Sequence, residues 1–130
     1  MLKNIRGRGR LLPVFLIILI WATACTQDKI TIRIAATTDV HGMIFPHDFI
    51  SRQPADNSLA HIYSYVCQER DRKDTIFVLL DNGDFLQGQP TVYYYNFVDT
   101  AQEHLSSRVM NFMGYDAGTL GNHDIETGPE

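Results

Sequence analysis

The sequence predicts an α/β domain built on parallel strands, and three observations carry that prediction. Two apolar stretches, Ile30–Ala36 and Ile76–Leu80, have strand character. Apolar residues recur at helical spacing between them and again before Gly114. A third short strand candidate, Ala117–Leu120, closes the series. Strand, helix, strand, helix, strand in that order folds as parallel pairing with right-handed crossovers.

Each element has its own warrant. Ile30-Thr31-Ile32-Arg33-Ile34-Ala35-Ala36 is β-branched and alternates apolar with polar at its start, which is a strand pattern. Asp39 to Asn57 is loop-like, holding Gly42, Pro46 and Pro54, with Asn57 or Ser58 placed to cap the next helix. Leu59, Ile62, Tyr63, Val66 and Cys67 then share one helical side, so Cys67 is expected as a buried thiol. The charged run Glu69–Asp74 is expected as a solvated helix end. Ile76-Phe77-Val78-Leu79-Leu80 is continuously apolar, the pattern of a strand covered on both faces. A second helix is expected between Thr100 and Met113, with Leu105, Val109, Phe112 and Met113 on one side and Gly114 as its stop. The aromatic run Tyr93–Phe97 is read as packing rather than as a base-stacking surface, and His47, His61 and His104 as structural or exposed.

The chain of 130 residues is one domain's worth, with 45% hydrophobic and 20% charged residues. That balance excludes disorder, collagen and a disulfide-stapled miniprotein. Charge is lopsided. Four of the eleven basic residues (Lys3, Arg6, Arg8 and Arg10) lie in the first ten positions, while all fifteen acids lie from Asp28 onward. A body so acidic repels phosphate backbones, so nucleic-acid duplex binding is not expected.

The basic head is followed by the apolar run Leu11–Ala22 and then by Ala22-Thr23-Ala24-Cys25. Twelve apolar residues are too few to span a bilayer, and the arrangement is that of a secretory signal. With Cys25 it resembles a bacterial lipobox, which implies a signal peptide over residues 1–24 and a lipid-modified Cys25. Residues 25–29 would then be a short tether and residues 30–130 the exported body, on the periplasmic or cell-envelope side. Cleavage after Ala24 without lipid, or an uncleaved anchor, would also place the body outside the cytoplasm.

The polar residues gather behind the strands. Thr38-Asp39-Val40-His41-Gly42 follows the first, Asp81-Asn82-Gly83-Asp84-Phe85-Leu86-Gln87-Gly88 the second, and Gly121-Asn122-His123-Asp124 the third. Carboxyl ends of neighbouring parallel strands lie along one edge, where open α/β proteins bind ligands. Asp39 and His41 can grip one cation, Asp84 has two oxygens and can bridge two, and Asn122 offers a neutral amide oxygen. A mixed N/O set without thiolate favours Mn²⁺, Zn²⁺, Fe or Mg²⁺.

At these residues the sequence resembles the calcineurin-like metallophosphoesterases, whose D-x-H, G-D-x-x-x-G and G-N-H-D/E patterns occur here in order. Thr37-Thr38-Asp39-Val40-His41-Gly42 and Asp81–Pro90 are similar to the exported branch that holds 5′-nucleotidases and 2′,3′-cyclic-nucleotide 2′-phosphodiesterases. The resemblance implies the N-terminal part of a four-layer α/β/β/α sandwich with mostly parallel strands. It also implies hydrolysis of nucleotide phosphoesters by two divalent metal ions with a bridging hydroxide, serving nucleotide catabolism. Asp39 and His41 would hold the first metal, Asp84 would bridge both, and Asn122 would hold the second. His123 would face the scissile phosphate, oriented by either Asp124 or Glu126.

The family pattern continues with further histidines, including a Gly-His-x-His pair, that this sequence lacks. The expectation is therefore an N-terminal portion that is not competent alone. A nucleotide-sugar hydrolase or other phosphodiesterase of the same family, and a non-catalytic lipoprotein of this length, are the alternative readings.

Overall fold

A computed structural model of the protein describes residues 29–126. The expected signal peptide, Cys25 and the tether up to residue 28 lie outside the described residues. Among the described residues no helix is long and apolar enough to cross a membrane.

The strand pattern at Thr31–Thr37 forms β1, and the apolar run forms β4 (Thr75–Asp81). They pair in parallel along their full lengths, Ile32 opposite Ile76 and Thr37 opposite Asp81. The third strand, β5, is reduced to Ala117–Gly118 and pairs in parallel with the end of β4, giving the order β1-β4-β5. Between β1 and β4 runs α1 (Leu59–Arg70), and between β4 and β5 lie α2 (Pro90–Phe97) and α3 (Leu105–Met113). A four-residue helix, α4 (Asn122–Ile125), follows β5. The loop after β1 also contains a two-residue antiparallel ladder, β2 (His47–Asp48) with β3 (Gln53–Pro54).

Ser58 is the N-cap of α1, but its hydroxyl pairs with His61 Nδ1 (2.8 Å) instead of a helical N–H. His104 caps α3 by accepting from the Ser106 N–H, and Gly114 ends that helix in the left-handed conformation at φ 68°. The Arg70 guanidinium donates to the Met113 and Gly114 carbonyls. A cation at the C-terminus of α3 satisfies its last carbonyls, and it ties α1 to α3.

The two faces of the sheet differ. Ala35, Phe77 and Leu79 pack with Leu59, Val66, Val92 and Met113 in one core. Each such side chain contributes about 1.5–3 kcal/mol on full burial. On the opposite face Ile32, Ile34 and Ile76 are more than half exposed. The expectation that β4 is covered on both faces therefore fails for the described residues. They supply one three-stranded sheet with its helices and the short β2–β3 ladder, and no second large sheet is among them.

Four further expectations are corrected. Cys67 is exposed. The buried residues of α1 are Leu59, Val66 and Glu69, and Cys67, about 100° around the helix from Val66, falls beside that stripe. Glu69 is buried, not solvated, because it continues the stripe; Arg33 (3.2 Å) and Arg72 (3.0 Å) neutralise it. On α3 Phe112 is exposed, and on α2 the supposedly packed Tyr93, Tyr94 and Phe97 are exposed while Val92 alone is buried.

Candidate active site

The chain bends sharply where the candidate ligands sit. Asp39 (φ 53°), His41 (φ 49°) and Asp84 (φ 60°) occupy the left-handed region without being glycine, as only Arg52 otherwise does among the described residues. Asp and His enter that region more readily than most side chains, yet still at a cost of about 1–2 kcal/mol. Such backbone persists only where its surroundings fix it. Here the Asp39 N–H donates to the Gly83 carbonyl (3.1 Å), His41 N–H to Asp84 O (3.0 Å), and Gln89 N–H to His41 O (3.0 Å). The loops after β1 and β4 are thus sewn together before any side chain is considered.

The loop after β5 joins them through the Asp84 carboxylate, whose Oδ1 accepts from the His123 N–H at 2.9 Å. Two glycines make the approach possible. A Cβ on Gly83 would lie 2.3 Å from the Gly121 nitrogen, and one on Gly121 would lie 2.1 Å from Asp84 Oδ1. As a result the His41 and His123 rings stand 5.4 Å apart, centre to centre. Asn122, exposed at the first turn of α4, adjoins His123 in sequence.

Both imidazoles are oriented from behind. His41 Nδ1 donates to the Gln87 carbonyl at 3.1 Å, which leaves Nε2 as the lone-pair nitrogen. His123 Nδ1 pairs with Glu126 Oε2 at 3.0 Å, and that oxygen also accepts from Gln87 Nε2 at 3.1 Å. The hydrogen bond to Glu126 raises the His123 pKa above its ordinary value; burial opposes it, and the charges of Glu126, Asp84 and Asp124 add to the rise.

Of the two acids expected beside His123, Glu126 is the one on the ring. Asp124 is buried and turned the other way, accepting from four backbone N–H groups: Asp84 (2.7 Å), Phe85 (2.8 Å), Leu86 (2.8 Å) and Gly121 (2.9 Å). Burial pushes its carboxyl up, and the N–H groups of Gly121, Leu86, Asp84 and Phe85 outweigh that and leave it below the ordinary value.

Behind the site sits a second buried carboxylate. Asp81 accepts from the Thr37 hydroxyl (2.8 Å) and the Gly83 N–H (3.2 Å), and Thr37 also meets the Tyr115 hydroxyl (2.9 Å). Burial raises the Asp81 pKa. Gln89, also buried, holds the β2–β3 ladder to the site by accepting from the Phe49 N–H (3.0 Å) and donating to Asp48 Oδ1 (2.9 Å). The Gln89 amide, with Ser51 and Ile50, draws the Asp48 carboxyl well below the usual range. Sequence reasoning gave no role to Gln87, Gln89, Asp81 or Thr37. The side-chain-rich spacing Asp81–Gln89 was visible, but not which atoms turn inward.

The donor set has the chemistry of a hard or borderline divalent-ion site: carboxylate and amide oxygens with a neutral imidazole whose Nε2 is available. Among the described residues, no three His, Cys, Asp or Glu side chains stand close enough together to enclose an ion. Asp39, His41, Asp84 and Asn122 lie on the three loops that meet here, and by themselves the described residues do not close a cation site.

Comparisons with known proteins point in one direction. No family profile matches the chain. It is 33% identical over 116 residues to the trifunctional nucleotide phosphoesterase protein YfkN of Bacillus subtilis, covering 84% of the chain and 8% of that protein. It is 33% identical over 115 residues to a 2′,3′-cyclic-nucleotide 2′-phosphodiesterase/3′-nucleotidase of Haemophilus influenzae, covering 83% of the chain and 17% of that relative. To a rat 5′-nucleotidase it is 30% identical, over 92% of the chain and 20% of the relative. The crystal structure of the calcineurin-like phosphoesterase YfkN superposes with a TM-score of 0.62 at 34% identity, over 73% of this chain and 30% of that one. The chain thus spans a fifth or less of the length of these curated relatives.

Proposed function

The chain belongs to the calcineurin-like phosphoesterases, matching their N-terminal part, and from that premise we propose that it contributes to metal-dependent hydrolysis of nucleotide phosphoesters. The substrate class is that of 5′-nucleotidases, of 2′,3′-cyclic-nucleotide 2′-phosphodiesterases, or both, in keeping with the names of its relatives. The observation that carries the reading is the convergence of three loops on the His41–His123 pair, with Asp84 bonded to His123 N–H and Glu126 behind the His123 ring.

Calcineurin-like phosphoesterases use divalent metals. In this proposal Asp39 and His41 would hold one ion, Asp84 would be shared, and Asn122 would hold a second. When bound, such ions neutralise phosphoryl charge and activate water as Lewis acids. That explains how so acidic a body can take an anionic substrate. The rest falls to the chain itself. His41 presents Nε2 because Gln87 O holds its Nδ1–H. His123, its pKa raised by Glu126, donates a proton or a hydrogen bond toward the phosphate or leaving oxygen. Asp124 keeps the Asp84–Leu86 turn in place. The proposal includes export and a lipid anchor at Cys25, which would place the activity at the cell envelope.

The test is phosphate release from 5′-AMP, 3′-AMP and 2′,3′-cyclic AMP with added Mn²⁺ and after chelation. A coupled phosphatase is needed for the cyclic substrate, whose ring opening frees no phosphate. The 130-residue chain is run beside any longer product of the same gene. Chelator-sensitive turnover of a nucleotide supports the proposal; turnover of none of the three by either product overturns it.

A further inference from the structure

One residue touches both imidazole systems of the site. Gln87 accepts from His41 Nδ1 through its backbone carbonyl (3.1 Å) and donates from its side-chain amide to Glu126 Oε2 (3.1 Å), the oxygen that meets His123 Nδ1 (3.0 Å). We propose that Gln87 is a positioning residue for the nucleotide-phosphoesterase reaction, holding Glu126 against His123 while its own carbonyl sets the tautomer of His41. The inference rests on the proposed function for its consequence, but not for its geometry.

The physical need is specific. Glu126 is the C-cap of a four-residue helix, and its side chain is 56% exposed against 32% for His123. A long carboxylate so placed gives up much of its rotamer freedom if a single bond must fix it. A second donor on the same oxygen removes most of the alternative rotamers in which Glu126 turns to solvent. The Gln87 amide can reach because its peptide is itself fixed. Asn96 Nδ2 donates to the Leu86 carbonyl (2.6 Å), and the Leu86 N–H donates to Asp124 (2.8 Å). The acceptors on the two rings differ in kind: a main-chain carbonyl for His41, a carboxylate held by a side chain for His123. Removing the Gln87 amide should therefore affect one ring and spare the other.

The experiment is Gln87→Leu in the full chain with ¹⁵N-labelled histidine, without added metal and well above the ordinary imidazole range. Two-bond ¹H–¹⁵N correlation through the non-exchanging ring protons reports each tautomer. In the unsubstituted chain both rings are expected as Nδ1–H. In Gln87→Leu the His123 nitrogens should move toward a tautomer mixture while those of His41 stay where they were. In whichever product hydrolyses nucleotides, kcat should fall roughly fivefold with KM little changed, as for the loss of one hydrogen bond of about 1 kcal/mol. Movement of both rings together would mean that the substitution merely loosens the loop, and movement of neither would mean that Glu126 needs no second anchor; either overturns the proposal. Absence of nucleotide turnover in every product, with the His123-only shift still seen, would remove the proposed function and leave the positioning role of Gln87 standing.

Discussion

Asp124→Asn tests how the site is held together. The native carboxylate accepts four backbone N–H groups, two on each oxygen: Phe85 and Leu86 on Oδ1, Asp84 and Gly121 on Oδ2. An asparagine amide keeps one oxygen, and whichever way it turns, two N–H groups then face an NH₂ donor. Hydrogen bonds to a charged acceptor are worth about 1.5–3 kcal/mol each, so two lost bonds cost about 3–6 kcal/mol. Against a total of roughly 5–15 kcal/mol for an ordinary domain, that is a large share. The assay is guanidinium unfolding followed by circular dichroism, with hydrogen exchange at the amides of residues 84, 85, 86 and 121. The midpoint should fall, and those four amides should lose protection ahead of Leu79 and Leu80 in β4. A loss below about 1 kcal/mol with protection intact would refute the argument.

The same carboxylate sets an acid limit. Its folded pKa is below the ordinary value, so its contribution is fully present above the unfolded value of about 3.9 and is lost as pH falls through the folded one. The asparagine variant should lack that part of the acid dependence.

Other perturbations separate the parts of the site. Asp84→Asn should lower nucleotide turnover about a hundredfold or more in the active product, because the side chain proposed to serve both metals also holds the His123 N–H; near-normal turnover would show that it does neither. Gly121→Ala places a methyl group 2.1 Å from Asp84 Oδ1, so the loops after β4 and β5 should separate. The contact between the His41 and His123 rings, followed by nuclear Overhauser effects, should vanish while the β1–β4 pairing persists. Burial lowers the His104 pKa and outweighs the opposing backbone hydrogen bond with Val92. Stability should therefore decline as pH falls below about 6.5 and through the folded value. His104→Asn, which retains a capping acceptor for Ser106, should flatten that slope in thermal unfolding, and an unchanged slope would locate it elsewhere.

What the sequence made legible follows from how each feature is encoded. β1 and β4 were readable because alternation and apolar continuity reflect what a strand faces, and α3 because Leu105, Val109 and Met113 recur at helical spacing before a terminating glycine. The helix α2 was not, because Pro90-Thr91-Val92-Tyr93-Tyr94-Tyr95-Asn96-Phe97 is apolar all round and aromatic residues are indifferent helix formers. Its one positive signal was Pro90 at the first helical position. The three loops behind the strands were legible as a set, since residue type and order along a parallel sheet predict a shared edge.

Orientation within a loop is a different kind of information. Asp124 and Glu126 are both acids near His123, and composition cannot rank them. Helical spacing does. Residues three apart share a face, so Glu126 meets the His123 ring. Asp124 stands at the third position of α4, from which a carboxylate reaches back to the N-cap amide of Gly121. Once Asp124 is committed there, its second oxygen is left to gather Phe85 and Leu86. A short helix thus turns one acid toward the His123 ring and the other toward the scaffold.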